Sequence, residues 1–143
     1  MRLRRATLYV AVLMLAAAGG CKFSFTTANI SSLKLSKDEE GKNEASSFGP
    51  GETVYAIATV SNVPSKVTLK FRFITENVQG QPANAPVEAF DRSFDVPRDG
   101  YVRYFVSPPP RGWPPGKYRI EVAMLTGSGE QKDQESATFT VSR

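Results

Sequence analysis

From residue 30 onward, apolar and polar positions alternate in short runs, a period of two that predicts β-strands. Lys66 to Thr75 (KVTLKFRFIT) alternates most cleanly. Val67, Leu69, Phe71 and Phe73 share one face; Thr68, Lys70 and Arg72 share the other. Ser32 to Ser36 alternates in the same way, and Thr53 to Ser61 (TVYAIATVS) is apolar on both faces, as in a central strand. Val87 to Val96 predicts a weaker strand, bent or irregular. Tyr101 to Ser107, Lys117 to Leu125 and Ala137 to Val141 complete a set of seven. Turn chemistry separates them at Gly49-Pro50-Gly51, Asn62-Val63-Pro64-Ser65, Pro97-Arg98-Asp99-Gly100 and Thr126-Gly127-Ser128-Gly129. The ten prolines fall mainly between strands, where no ladder N–H is needed. The expected core holds Leu33, Leu35, Val67, Leu69, Phe71, Phe73, Tyr118, Ile120, Val122, Phe139 and Val141.

The N-terminus follows a different pattern. Arg2, Arg4 and Arg5 precede an uncharged run, Thr7 to Ala18, and small residues follow at Ala18, Gly19 and Gly20. This is the layout of a secretory signal. A helix over that run would be about 18 Å long, too short for a hydrocarbon core of about 30 Å. The signal also changes the charge balance. Taking its three arginines from the 18 basic residues leaves 15 against 14 acidic, a net of +1 instead of +4. No basic patch suited to nucleic acid is apparent.

Composition narrows the chemistry further. The chain has no histidine and a single cysteine, Cys21. An intramolecular disulfide, a Cys/His zinc site and any Ser-His or Cys-His nucleophile pair are excluded. No EF-hand, phosphate loop or G-x-S-x-G elbow is present. The expectation is a non-catalytic protein with no cofactor. Asp38, Glu39, Glu40 and Glu44 are either oxygen ligands for calcium or a solvated loop.

Ala18-Gly19-Gly20-Cys21 resembles the lipobox of bacterial lipoproteins. It matches the family at Gly19, Gly20 and Cys21 and departs at Ala18, where leucine is commonest. The resemblance implies cleavage before Cys21 and diacylglyceryl attachment to its sulfur, usually with a third acyl chain on the new amino group. Multiple acyl chains hold a protein stably on a membrane, whereas one does so marginally. The other reading of the junction is ordinary cleavage and a free thiol, a liability in an oxidising compartment. Lys22, where Asp would signal retention in the inner membrane, implies the outer membrane. The expected organisation is a signal over residues 1–20, a tether over 21–29 and a domain over 30–143. Lys22 to Asn29 spans at most roughly 29 Å.

Seven short strands with turns between them suggest an immunoglobulin-like sandwich of two antiparallel sheets, following an N-terminal signal helix. Gly116-Lys117-Tyr118-Arg119-Ile120 resembles the start of strand F in such domains. The resemblance implies that Ile120 takes the core position and that Tyr118 bonds back to upstream backbone as a tyrosine corner; the plainer reading is a core tyrosine. The segment 48–141 looks like the Ig-like domains of bacterial envelope and secreted proteins. Up-and-down strands would place the loops 37–51, 76–86 and 108–116 at the end opposite the tether. Loops on a rigid scaffold are where binding residues tend to lie.

The candidate partner-binding residues are Trp113 and Arg111, in Pro108-Pro109-Pro110-Arg111-Gly112-Trp113-Pro114-Pro115-Gly116. An exposed Trp113 would anchor a protein partner or stack on a sugar; folded back beside Tyr118, it would serve the core. The functional expectation is a lipid-anchored envelope module that binds or scaffolds another envelope or surface component, inserting in membrane lipid through acylated Cys21 and meeting an envelope protein or glycan through the domain. The alternative is a carbohydrate-binding module using Trp113 with Tyr101 or Tyr104.

Overall fold

The alternating run around residues 66–75 is the spine of the fold, strand β4 (Val67–Val78), whose inward side chains are buried. The computed structural model describes residues 28–142. Within them lie nine strands: β1 (Asn29–Ser36), β2 (Ser47–Phe48), β3 (Val54–Ser61), β4, β5 (Ala85–Pro86), β6 (Arg92–Val96), β7 (Gly100–Val106), β8 (Gly116–Leu125) and β9 (Gln131–Val141). One sheet has the order β1-β3-β7. The other runs β2-β9-β8-β4-β5, with β6 also on β4. The expected signal helix, Cys21 and most of the tether lie outside the described residues.

The all-β, two-sheet architecture agrees with the sequence, but the strand count is corrected from seven to nine. β2 and β5 are only two residues long, held by β9 and β4. The weak strand at 87–96 resolves into a 3-10 turn at Glu88–Phe90 followed by β6. β9 begins at Gln131, six residues before the expected Ala137. β2 runs parallel to β9, so the second sheet is not wholly antiparallel.

The core lies between the sheets. Ala56, Ala58, Val60, Tyr104 and Val106 come from one side; Leu69, Phe71, Phe73, Ile120, Val122 and Phe139 come from the other. Phe71 stacks on Tyr104 across the gap, with centroids 4.8 Å apart and planes 10° from parallel. To this core β3 contributes the small Ala56 and Ala58, and the second sheet contributes Phe71, Phe73 and Phe139. Leu33 is only partly buried, at the margin of this core.

Register fixes what lies at each end. Asn29 pairs with Ser61, Val60 with Gly100, Val67 with Val96 and Thr68 with Leu125. The chain therefore enters beside the turns 62–66, 97–99 and 126–130. Val141 pairs with Gly116 at the other end, where the three longer connections gather.

Carboxylates tie several turns. The Asp38 side chain accepts N–H groups from Glu40, Lys42 and Asn43, and Ser36 lies 3.2 Å away. Asp99 accepts from Val63 at 2.8 Å and Asn62 at 3.1 Å. The Lys42 N–H foremost lowers the Asp38 pKa, the Val63 N–H lowers that of Asp99, the Gly49 N–H that of Glu52, and the Thr68 hydroxyl that of Asp95. Each group then binds a proton more weakly folded than unfolded. Its contribution is complete above the ordinary carboxylate range and is lost as pH falls through it. The urea midpoint should hold from about pH 7 to about pH 5, then drop toward pH 3. The drop should be smaller in Asp99→Asn. A midpoint indifferent to acid would show that these contacts carry no linkage.

Candidate functional site

The 108–116 loop was the sequence's leading candidate, and its geometry is that of a cover. The Trp113 backbone N–H donates to the Pro50 carbonyl at 2.8 Å, and its indole Nε1 donates to the Glu52 carbonyl at 2.8 Å. The ring is 4% exposed. It stacks on Phe73 at 5.5 Å and meets Phe90 and Tyr118 edge-on. Of the two readings of Trp113, the one folded back beside Tyr118 holds and the exposed anchor is corrected: its apolar surface and its one donor are both used inside the domain. Arg111 remains exposed at the tip of the same loop. The line of Trp113 with Tyr101 or Tyr104 in the carbohydrate alternative does not form, because Tyr104, at 2% exposed, and Trp113 are buried and only Tyr101 of the three is exposed, at 65%.

Tyr118 closes the loop from the strand side. Its hydroxyl donates to the Pro114 carbonyl at 2.6 Å, four residues upstream, which is the bond expected of a tyrosine corner. Burial pushes its pKa up to about 12, so the hydroxyl keeps its proton and stays a donor near neutrality. Tyr118→Phe deletes the donor and leaves a carbonyl short of a partner. It should cost about 1–3 kcal/mol by chemical denaturation. A loss near zero would mean that water replaces the hydroxyl.

The acidic residues at 38–44 do not converge. The Asp38 oxygens are taken by backbone N–H groups, Glu40 pairs with Lys42, and Glu44 pairs with Lys34 at 3.6 Å. Among the described residues, no three Asp, Glu, Cys or His side chains are grouped as a metal site. The loop instead folds over the outer face of the first sheet, where Ile57 is 6% exposed although it faces away from the core. A Cβ on Gly41, at φ +74°, would come within 2.5 Å of the Ile57 Cδ1.

The surface that sequence reasoning saw only in part, through Tyr101, is on β7. Tyr101 and Phe105 are the two exposed large apolar side chains among the described residues, at 65% and 60%. They lie on one face with Arg103 between them, and Phe105 packs against Tyr55 of β3 with centroids 5.9 Å apart. The available signal was that YVRYFVS carries aromatics on both of its faces, Tyr104 on one and Tyr101 and Phe105 on the other. The outer face of the second sheet is polar by contrast. Glu76 there lies 3.3 Å from both Lys117 and Arg119, and Arg119 also meets Glu121 at 2.9 Å. No helix among the described residues is long and apolar enough to cross a membrane.

No protein-family model matches the chain, and no curated protein matches it. Solved structures do. The alkylpurine DNA glycosylase AlkC of Pseudomonas fluorescens, bound to DNA containing an abasic-site analogue, is similar over 81% of this chain with a TM-score of 0.54 at 16% identity. The chain spans 30% of that protein's length, so the likeness is one of fold. The PmoD soluble domain from a Methylocystis species is similar over 84% of this chain and 94% of its own, with a TM-score of 0.46 at 14% identity.

Proposed function

We propose that the chain is a non-catalytic, lipid-anchored protein of the bacterial cell envelope, placed in the outer membrane. Its Ig-like domain binds or scaffolds another envelope or surface component. The observation that carries this reading is the Cys21 junction. An arginine-rich start, an apolar run too short to span and a Gly-Gly-Cys cut site precede a β-domain by only a few residues.

Strand order supports the Ig-like part. β1-β3-β7 corresponds to strands A, B and E, and β9-β8-β4 to G, F and C, with the Tyr118 corner opening strand F. The first segment contributes β1 to one sheet and β2 to the other, as a split A strand does. The absence of histidine from the sequence supports a binding role over catalysis. Entry of the chain at the end of the short turns turns Arg111 and the long loops away from the lipid.

Mass spectrometry of the mature N-terminus tests the anchor. The expected result is an N-terminal Cys21 carrying acyl mass. Cys21→Ser should shift the domain from the membrane fraction to the soluble one. An unmodified residue 21, or an N-terminus elsewhere, would overturn the reading.

A further inference from the structure

Sheet edges are hazards, because they offer unpaired N–H and C=O groups to any passing strand, and proteins usually guard them. Three of the edges here are guarded. β9 turns Asp133 and Glu135 toward the inner face, in register with Met124 and Val122, and Asp133 accepts the Ile30 N–H at 2.8 Å. β1 is broken by a bulge between Ile30 and Ser32. β6 is five residues long, holds Arg92 and Asp95, and ends before Pro97. β7 has no bulge, no inward acid and no closing proline, and its one charge is Arg103. It runs seven residues in unbroken register with β3, lacks proline, lysine and acid, and displays Tyr101 and Phe105.

Beside this edge is a groove of about 420 Å³. One wall is the chain from Arg103 to Ser107; the other is Phe90, Arg92 and Phe94. β6 and β7 are joined by a short turn but belong to different sheets, so the groove occupies the position of a fourth strand next to β7. Phe90, Phe94 and Val106 give it apolar lining; Phe94 packs edge-on against Phe71, and the Tyr104 hydroxyl is occupied by the Phe90 carbonyl at 2.9 Å.

The charge lining the groove is positive. Arg92 bonds only carbonyls, those of Ala89 and Asp91, at 3.0 and 2.7 Å. Arg103 meets Glu39 at 3.7 Å, with both side chains well exposed, a pairing of little strength. Glu39 and Asp91 adjoin the groove without lining it.

We infer that the β7 edge is a strand-addition site for an extended, acidic segment of a partner protein. The inference rests on the binding-module reading above and names the chemistry of the partner. Main-chain bonds to β7 would supply affinity, as in other strand-addition complexes. Alternate side chains would divide, with apolar ones over Phe90 and Phe94 and carboxylates beside Arg103, flanked by Tyr101 and Phe105. A second copy fits less well, because antiparallel pairing of β7 with itself about its centre sets Arg103 opposite Arg103.

The test uses the full chain in detergent and fluorescent peptides of about eight residues alternating Glu and Val. By anisotropy, the Glu peptide should bind at least about tenfold more tightly than its Lys counterpart. N-methylation of alternate peptide nitrogens should cost about tenfold or more, because it removes ladder donors without touching charge. Arg103→Glu should reverse the preference, and Phe105→Ser should weaken binding several-fold. Equal binding of Glu and Lys peptides, indifference to N-methylation, or no binding would overturn the inference. Self-association abolished by Phe105→Ser would assign the edge to a second copy instead. If the peptides fail while Phe105→Ser still retains an envelope partner, the groove is discarded and the binding module stands. If Cys21 is unmodified and the peptides bind as expected, the anchor fails and the groove stands.

Discussion

Trp113→Ala should destabilise the domain by about 3–5 kcal/mol, the range for emptying a buried aromatic site. That is a large part of the roughly 5–15 kcal/mol that holds a typical domain together. The ring joins parts of the chain that are remote in sequence, with Phe73 and Phe90 around it, Tyr118 at its edge and the Glu52 carbonyl on its nitrogen. Removing it opens a cavity and also leaves that carbonyl without its donor. Trp113→Phe should fall between, since it keeps most of the packing and loses the N–H. Urea denaturation of the three proteins would separate the two contributions. A Trp113→Ala chain as stable as the wild type would mean the loop does not close as described, and would return Trp113 to the list of binding residues.

Gly116→Ala should cost roughly 2–5 kcal/mol, a steep effect for one methyl group. Gly116 has φ +150°, and a Cβ there would lie 2.5 Å from the Asn77 carbonyl oxygen and 2.7 Å from the Val78 Cα. Both obstacles are backbone, so no side-chain rotation relieves them. β4 bulges between Thr75 and Asn77, opposite the neighbouring Lys117 and Tyr118, and the strands pair again at Val78 and Gly116. The variant should show a lower denaturation midpoint, with weakened hydrogen-exchange protection first around residues 76–78 and 116–118. Gly127→Ala, where nothing lies within 4 Å of the added carbon, serves as the control and should be nearly neutral. Equal effects at the two sites would discount the close approach.

Strands with one buried and one wet face were legible in the sequence, because alternation is a local property. Val67 to Phe73 announced both β4 and its inward side. β2 and β5 were not legible, since two residues carry no period and each strand exists only through its neighbour. The early half of β9 was hidden for a related reason. At the edge of its sheet, Asp133 and Glu135 occupy inner-face positions that elsewhere hold apolar residues, which breaks the pattern. The 3-10 turn at Glu88–Phe90 interrupted what would otherwise read as one bent strand. For the site, the sequence left open whether Trp113 is exposed or folded inward, because the acceptor of its indole, Glu52, is 61 positions away. Phe105 was passed over, and Tyr101 was considered only as a companion of Trp113. The run Tyr101 to Ser107 shows a strand but not its place in the sheet, and only the sheet order reveals that β7 is an edge.

The parallel pairing of β2 with β9 has a mechanical consequence. Force applied between Asn29 and Val141 would act at opposite ends of the sandwich and, once β1 had left β3, would reach the pairing of β2 with β9. The contacts Ser47 with Thr140 and Phe48 with Val141, together with the Thr140 N–H on the Ser46 carbonyl, would be loaded in shear, all at once. Strands peeled from a free end surrender their bonds one by one; sheared strands must lose them together. A domain tethered at one end and gripped at the other would therefore resist pulling better than its thermodynamic stability alone implies.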